Sequence, residues 1–135
     1  MAGKRLVMVV SEGTFDKAME SMMIANTAAS MGMDVHIFHT FFGLPLLLGN
    51  ADPKLPGEMA PQTEMMKEKM KSVGAGDYAS QKKMAVELGV HLYACSTSME
   101  LMGITKEHLT PGVTILGAAG FLNIAADSDM QFFIG

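Results

Sequence analysis

Arg5-Leu6-Val7-Met8-Val9-Val10 runs into Ser11-Glu12-Gly13-Thr14, and this stretch decides the fold class. A nearly continuous apolar run closed by turn residues reads as a strand buried on both faces, not as one with a wet side. From Thr14 the period changes. Phe15, Met19, Met22, Met23, Ala25 and Ala29 mark a helical face, with Thr14 as N-cap, Asp16 in the first turn and Gly32 at the exit. Asp34-Val35-His36-Ile37-Phe38-His39 is the next strand. Strand, helix, strand within so short a span implies a right-handed crossover and a parallel pair.

The same rhythm continues outward. Tyr78–Leu88 reads as a helix closed by Gly89, His91–Cys95 as a third strand, and Ser96–Met102 as a helix following it directly. Thr105–Leu109 is a helical turn, Val113–Leu116 a fourth strand, Ala118–Ala126 a helix and Met130–Ile134 a fifth strand. The expected fold is therefore a three-layer α/β/α domain around a five-stranded, mainly parallel sheet. Residues 1–135 read as a single domain. A flexible or helical insert at about 49–76 interrupts it, with Pro53, Pro56 and Pro61 and a weak amphipathic helix at Thr63–Val73. The insert is expected to serve as a lid or a partner-recognition loop.

Composition narrows the function classes. The 135-residue chain is 49% hydrophobic and 18% charged with a formal charge of −4, which rules out a disordered chain and a generic nucleic-acid binder. One cysteine excludes an intrachain disulfide framework and a multi-cysteine zinc knuckle. With no secretory pattern in Met1–Val10, a reducing, cytoplasmic setting is expected. The most apolar stretch, Phe41–Leu48, is too short to span a membrane and holds Gly43 and Pro45. It and Phe132-Phe133-Ile134 carry more apolar surface than a small monomer comfortably exposes, so a homo-oligomer is expected.

In an open parallel sheet the site lies beyond the carboxyl ends of the strands. Three segments end there: Ser11–Thr14, His39–Phe42 and Cys95–Ser98. Only the last holds a nucleophile. Cys95 ends its strand just before a helix, and Thr97-Ser98-Met99-Glu100 matches a capping box. Unpaired N–H groups there would favour the thiolate, the attacking form, and cradle an anion held on it. Set against this is the common role of a free cysteine as a small buried apolar residue.

Tyr93-Ala94-Cys95-Ser96-Thr97-Ser98-Met99-Glu100-Leu101-Met102-Gly103-Ile104 resembles the signature of the DsrE/DsrF/DrsH-like sulfur-relay family. Ser11–Thr14, Ala28–Met33, Phe38–Leu44, Gly117–Leu122 and Phe132–Ile134 agree with it, so the resemblance spans nearly the whole chain. It implies a five-stranded parallel sheet and an oligomer, trimer or larger. It also implies a site cysteine, here Cys95, that carries sulfur as a persulfide or thiosulfonate between partners such as rhodanese-like and TusA-like proteins. No cofactor is implied. The lone cysteine excludes self-resolution to an intramolecular disulfide, so discharge must go to a thiol on another molecule. Leu92 stands where a peroxidatic site carries threonine, so peroxidase chemistry is rejected as the main reading.

Around Cys95, the expected anion- or substrate-binding groups are Ser96, Thr97 and Ser98, with Gly13 and Thr14 from the first turn. His39 and Thr40 end the neighbouring strand, and one of the two is expected to reach the sulfur. No metal site is expected. His36 and His39 point to opposite faces of one strand, and His91 and His108 show no partner in the sequence. The methionines fall at core or interface spacing and not in a copper-binding pattern. Lys67-Glu68-Lys69 with Lys71 reads as a solvated helix face. Ser11–Thr14 lacks a nucleotide-binding glycine pattern. The alternative to a sulfur carrier is a non-catalytic oligomeric binding module with a small-anion pocket at the sheet's C-terminal edge.

Overall fold

The computed structural model describes residues 1–135. Strands β1 (Arg5–Val10), β2 (Asp34–His39), β3 (His91–Cys95), β4 (Val113–Leu116) and β5 (Met130–Ile134) form one sheet in the order β4-β3-β2-β1-β5. Every pairing is parallel. Helices α1 (Phe15–Ser30), α2 (Thr63–Ser72), α3 (Tyr78–Glu87), α4 (Ser96–Met102) and α5 (Ala118–Ala125) supply the crossovers. The expected three-layer class is thus observed, with the strand limits where the periodicity placed them.

The two faces of the sheet are unequal. One carries a large core in which Leu6, Met8, Val35, Ile37 and Leu92 meet Phe15, Met19 and Met22 of α1 and Ala85 of α3. The other carries a small cluster of Val7, Phe38, Tyr93, Cys95 and Phe121, with Val9, Leu116, Ile124 and Ala125 partly buried against it and Phe38 and the α5 residue Phe121 stacked at 4.7 Å. Cys95 sits on this thin face.

Phe41–Leu48 corrects an expectation. Instead of a sticky surface it forms a 3₁₀ helix over Phe41–Leu47 that turns Leu44, Leu46 and Leu47 into the large core. Three residues per turn place Leu44 and Leu47 on one side, so only Phe41 and Phe42 face outward. Lys82 Nζ reaches in from α3 and donates to the carbonyls of Leu46 and Leu48, and the Tyr78 hydroxyl also donates to Leu46.

The 49–76 insert is ordered by a few specific bonds. Phe15 N–H donates to the Lys54 carbonyl, and Leu55 N–H donates to the buried Thr63 hydroxyl. Leu55, Met66 and Met70 pack against the large core, which puts the insert on the α1 and α3 side and not over Cys95. A covering lid is therefore not its arrangement here. Lys67 is tied to Asp52 at 2.7 Å and Glu64 at 3.1 Å, so the expected solvated lysine face is partly engaged within the insert.

Candidate functional site

The pleat decides which side chains meet at the end of β3. His36 pairs with His91 and Phe38 with Tyr93, so Thr40, just past the end of β2, falls beside Cys95 on the same face. His39 is one residue out of phase. It faces the large core, fully buried, close enough to Lys82 to feel its charge. The expectation that His39 or Thr40 would reach the sulfur is met by Thr40 alone.

Cys95 ends β3 and is itself the N-cap of α4, with φ −64° and ψ 118°. The capping box expected at Thr97–Glu100 does not form, because the strand feeds the helix without a spacer and Ser96 is already helical. Glu100 is exposed on the outer side of the turn. What this geometry gives the sulfur is a set of local donors. Burial pushes the Cys95 thiol up, but the Ser98 hydroxyl and N–H, the Thr40 hydroxyl and the Thr97 N–H together pull it down, and the net shift is below the ordinary value.

The Ser98 hydroxyl is the hub. It is buried, accepts from the Phe41 N–H at 2.8 Å and lies 3.1 Å from the Thr40 hydroxyl. Phe41 holds φ +45°, an uncommon conformation for a residue with a side chain, which aims its amide at Ser98. Neither this amide nor its strained conformation is marked in the sequence, since the contact spans 57 residues.

The other expected residues fall as follows. Ser96 is half-buried, with its hydroxyl near Gly117, and Thr97 is exposed and contributes its amide. Gly13 and Thr14 are not brought to the sulfur by any hydrogen bond. Gly13 instead lets the Phe42 carbonyl approach, and a Cβ there would lie 2.4 Å from that oxygen. Thr14 is the N-cap of α1 by position only, its hydroxyl buried without a partner. Cys95 keeps 8% of its surface exposed, under Phe121 and Leu116.

His39 predicts a pH effect on stability. Burial, reinforced by Lys82, pushes its imidazole down from 6.5 to about 3, and both ring nitrogens lack hydrogen-bond partners. The folded chain keeps it neutral, whereas the unfolded chain takes up the proton below 6.5. Its contribution is therefore intact above that pH and is lost as pH falls toward 3. Urea midpoints at neutral pH and at about pH 4.5 should drop less in His39→Leu than in the wild type. Equal drops would show that other groups set the acid sensitivity.

A family model for the DsrE/DsrF/DrsH-like family matches residues 2–60 and 54–133. The chain belongs to this family. It is 31% identical to a protein of Allochromatium vinosum named sulfur carrier protein DsrE2, across 99% of this chain and 100% of that one. It is also 31% identical to an uncharacterized Bacillus subtilis protein, YrkE, across 97% of both. Among solved structures, the YchN protein of E. coli superposes with a TM-score of 0.72 at 13% identity, covering 96% of this chain and 98% of that one. A protein of unknown function from Methanobacterium thermoautotrophicum gives 0.63 at 14%, covering 91% of this chain and 89% of its own. These DsrE-like neighbours share the fold. No helix of this chain is long and apolar enough to cross a membrane.

Proposed function

We propose that this DsrE-like chain is a sulfur carrier that loads a sulfane sulfur or a thiosulfonate on Cys95 and passes it to a partner thiol. The observation carrying this is the position of the one cysteine, at the end of β3 and the N-cap of α4, beside Thr40 and the buried Ser98 hydroxyl, which lie 3.1 Å from each other. The kinship with a named sulfur carrier supports it.

The chemistry balances without an added oxidant. The Cys95 thiolate attacks the outer sulfur of a donor persulfide, a new S–S bond forms, the donor's S–S bond breaks and the donor thiolate leaves. With tetrathionate, thiosulfate is the leaving group and Cys95 keeps the thiosulfonate. A partner thiolate then attacks the sulfur bonded to Cys95 Sγ, that S–S bond breaks, and Cys95 leaves as thiolate. The hydroxyl and amide donors around the sulfur suit the anion in each state. Rhodanese-like donors and TusA-like acceptors in the cytoplasm fit this role.

A homo-oligomer, trimer or larger, belongs to the same reading. Phe133, Leu122, Leu101, Phe42 and Phe41 are all more than half exposed, and Phe133 lies on the thin face that holds Cys95. A second subunit there would complete that layer.

Two measurements test the proposal. After incubation with tetrathionate, thiosulfate or a small persulfide, mass spectrometry should find the added sulfur on Cys95; unchanged mass with all three would overturn the carrier. Ser98→Ala should raise the thiol's apparent pKa and slow alkylation by iodoacetamide at neutral pH, read from the rate against pH. An unshifted profile would remove the Ser98 hydroxyl from the account. The near-burial of Cys95 favours one other reading, a binding module with an inert thiol, which predicts negligible alkylation throughout.

A further inference from the structure

Beyond the sulfur chemistry, the opposite end of β3 holds a second cluster. His91 opens the strand that Cys95 closes, so the two lie about 13 Å apart along the backbone. Beside His91, at the start of β2, stand Asp34 and His36. One ligand-capable atom from each of the three lies within 4.8 Å of the others. The Asp34 carboxylate spans the pair, with Oδ2 2.9 Å from His36 Nε2 and Oδ1 3.5 Å from His91 Nε2. Ligand atoms around a tetrahedral zinc ion stand roughly 3.3 Å apart, and the 3.5 Å between Asp34 Oδ1 and His91 Nε2 is close to that.

His36 makes this more than a surface ion pair. It is 7% exposed, and its buried Nε2 faces the Asp34 carboxylate at 2.9 Å. The opposite ring nitrogen, Nδ1, is engaged with the Tyr93 hydroxyl at 2.7 Å. A partner on Nδ1 is what fixes the tautomer and orientation of a metal-binding imidazole. The His36 and His91 rings stack at 4.3 Å and 10°. His36 is thus held on two sides.

We propose that Asp34, His36 and His91 form a binding site for a divalent transition-metal ion of the zinc type, with Tyr93 orienting His36. One Asp34 carboxylate oxygen and one ring nitrogen from each histidine supply three ligands, and the half-exposed His91 leaves the fourth position open to water. Arg5 Nε donates to Asp34 Oδ2 at 2.9 Å, which aims the carboxylate and leaves Oδ1 toward His91. The guanidinium charge opposes a cation, so the site is an exchangeable one and not a permanently filled structural centre. Asp34, His36, His91 and Arg5 are the charged or titratable groups that meet here, with Tyr93 behind them.

The test uses the untagged full chain carrying Cys95→Ser, so that no thiolate competes for the ion. Calorimetric titration with zinc chloride should show saturable binding of an equimolar ion. Titration with cobalt chloride should show the intense visible absorption of a low-coordinate complex. His91→Ala, a substitution at an exposed position, should weaken zinc by about tenfold or more, and Tyr93→Phe by about tenfold. Loss of binding in His91→Ala with an unchanged far-ultraviolet spectrum supports the site. Absence of saturable binding, or unchanged affinity in His91→Ala, overturns it. Because the Cys95→Ser background cannot carry sulfur, the result stands apart from the carrier reading.

Discussion

Replacing Cys95 by alanine is expected to abolish sulfur loading completely while leaving the chain folded. The chain has no other thiol to take over, so the loss should be all or none. Alkylation by a thiol reagent and mass gain after tetrathionate, thiosulfate or persulfide should disappear together. The fold should survive because the side chain belongs to the thin cluster with Val7, Phe38, Tyr93 and Phe121, whose aromatic members remain. Trimming one small buried group there costs on the order of 1 kcal/mol. Thermal unfolding followed by circular dichroism separates loss of chemistry from loss of structure. The 8% exposure adds a second signature in the wild type. Small reagents such as methyl methanethiosulfonate should react faster than bulky maleimides, since the sulfur is reached past Phe121 and Leu116. Sulfur gained by the alanine variant would remove Cys95 from the mechanism.

The parts of this site that the sequence displays are those decided within a few residues. The limits of β3 and α4 follow from an apolar run that changes to helical spacing at Ser96, which places Cys95 at a strand end without any knowledge of its neighbours. The parts it conceals depend on strand register. His39 and Thr40 cannot be told apart as neighbours of Cys95 until the His36–His91 pairing sets the phase, and then only Thr40 shares its face. The same pairing creates the Asp34, His36 and His91 cluster, whose members lie 57 residues apart at the extremes and carry no motif. Thr97-Ser98-Met99-Glu100 misleads for a different reason. Its spacing suits a capping box, but the box requires a loop residue ahead of the helix, and β3 leaves none. Phe41–Leu48 misleads because apolarity alone does not distinguish a segment folded inward from one offered to a partner. Its 3₁₀ pitch, with Leu44 and Leu47 in line, makes that choice.

Gly43→Ala is expected to be the most damaging single-methyl change in the chain, acting on stability and on the thiol together. Gly43 sits where the 3₁₀ helix crosses the end of β1, and a Cβ there would lie 2.2 Å from the Val10 carbonyl oxygen. That oxygen accepts from the Thr40 N–H at 3.0 Å, so it cannot retreat without loosening the chain at the end of β2. Gly13 makes the reciprocal approach, to the Phe42 carbonyl, and closes the other side of the crossing. The segment must therefore move outward as a unit, carrying Thr40 and Phe41 away from Ser98. Backbone overpacking of this kind costs about 1–3 kcal/mol or more. Loss of the Thr40 hydroxyl, and of the Phe41 amide that holds the Ser98 hydroxyl in place, also weakens the donors that offset burial at the sulfur, so the thiol should shift upward. Gly49→Ala is the control, since its nearest contact would be an ordinary 3.9 Å to the His108 carbonyl. A lowered urea midpoint and slower neutral-pH alkylation in Gly43→Ala, with neither in Gly49→Ala, would tie the crossing to the sulfur's environment. If Gly43→Ala unfolds at a lower midpoint but alkylates like the wild type, Thr40 and Phe41 do not tune Cys95, and Ser98 with its own amide suffices.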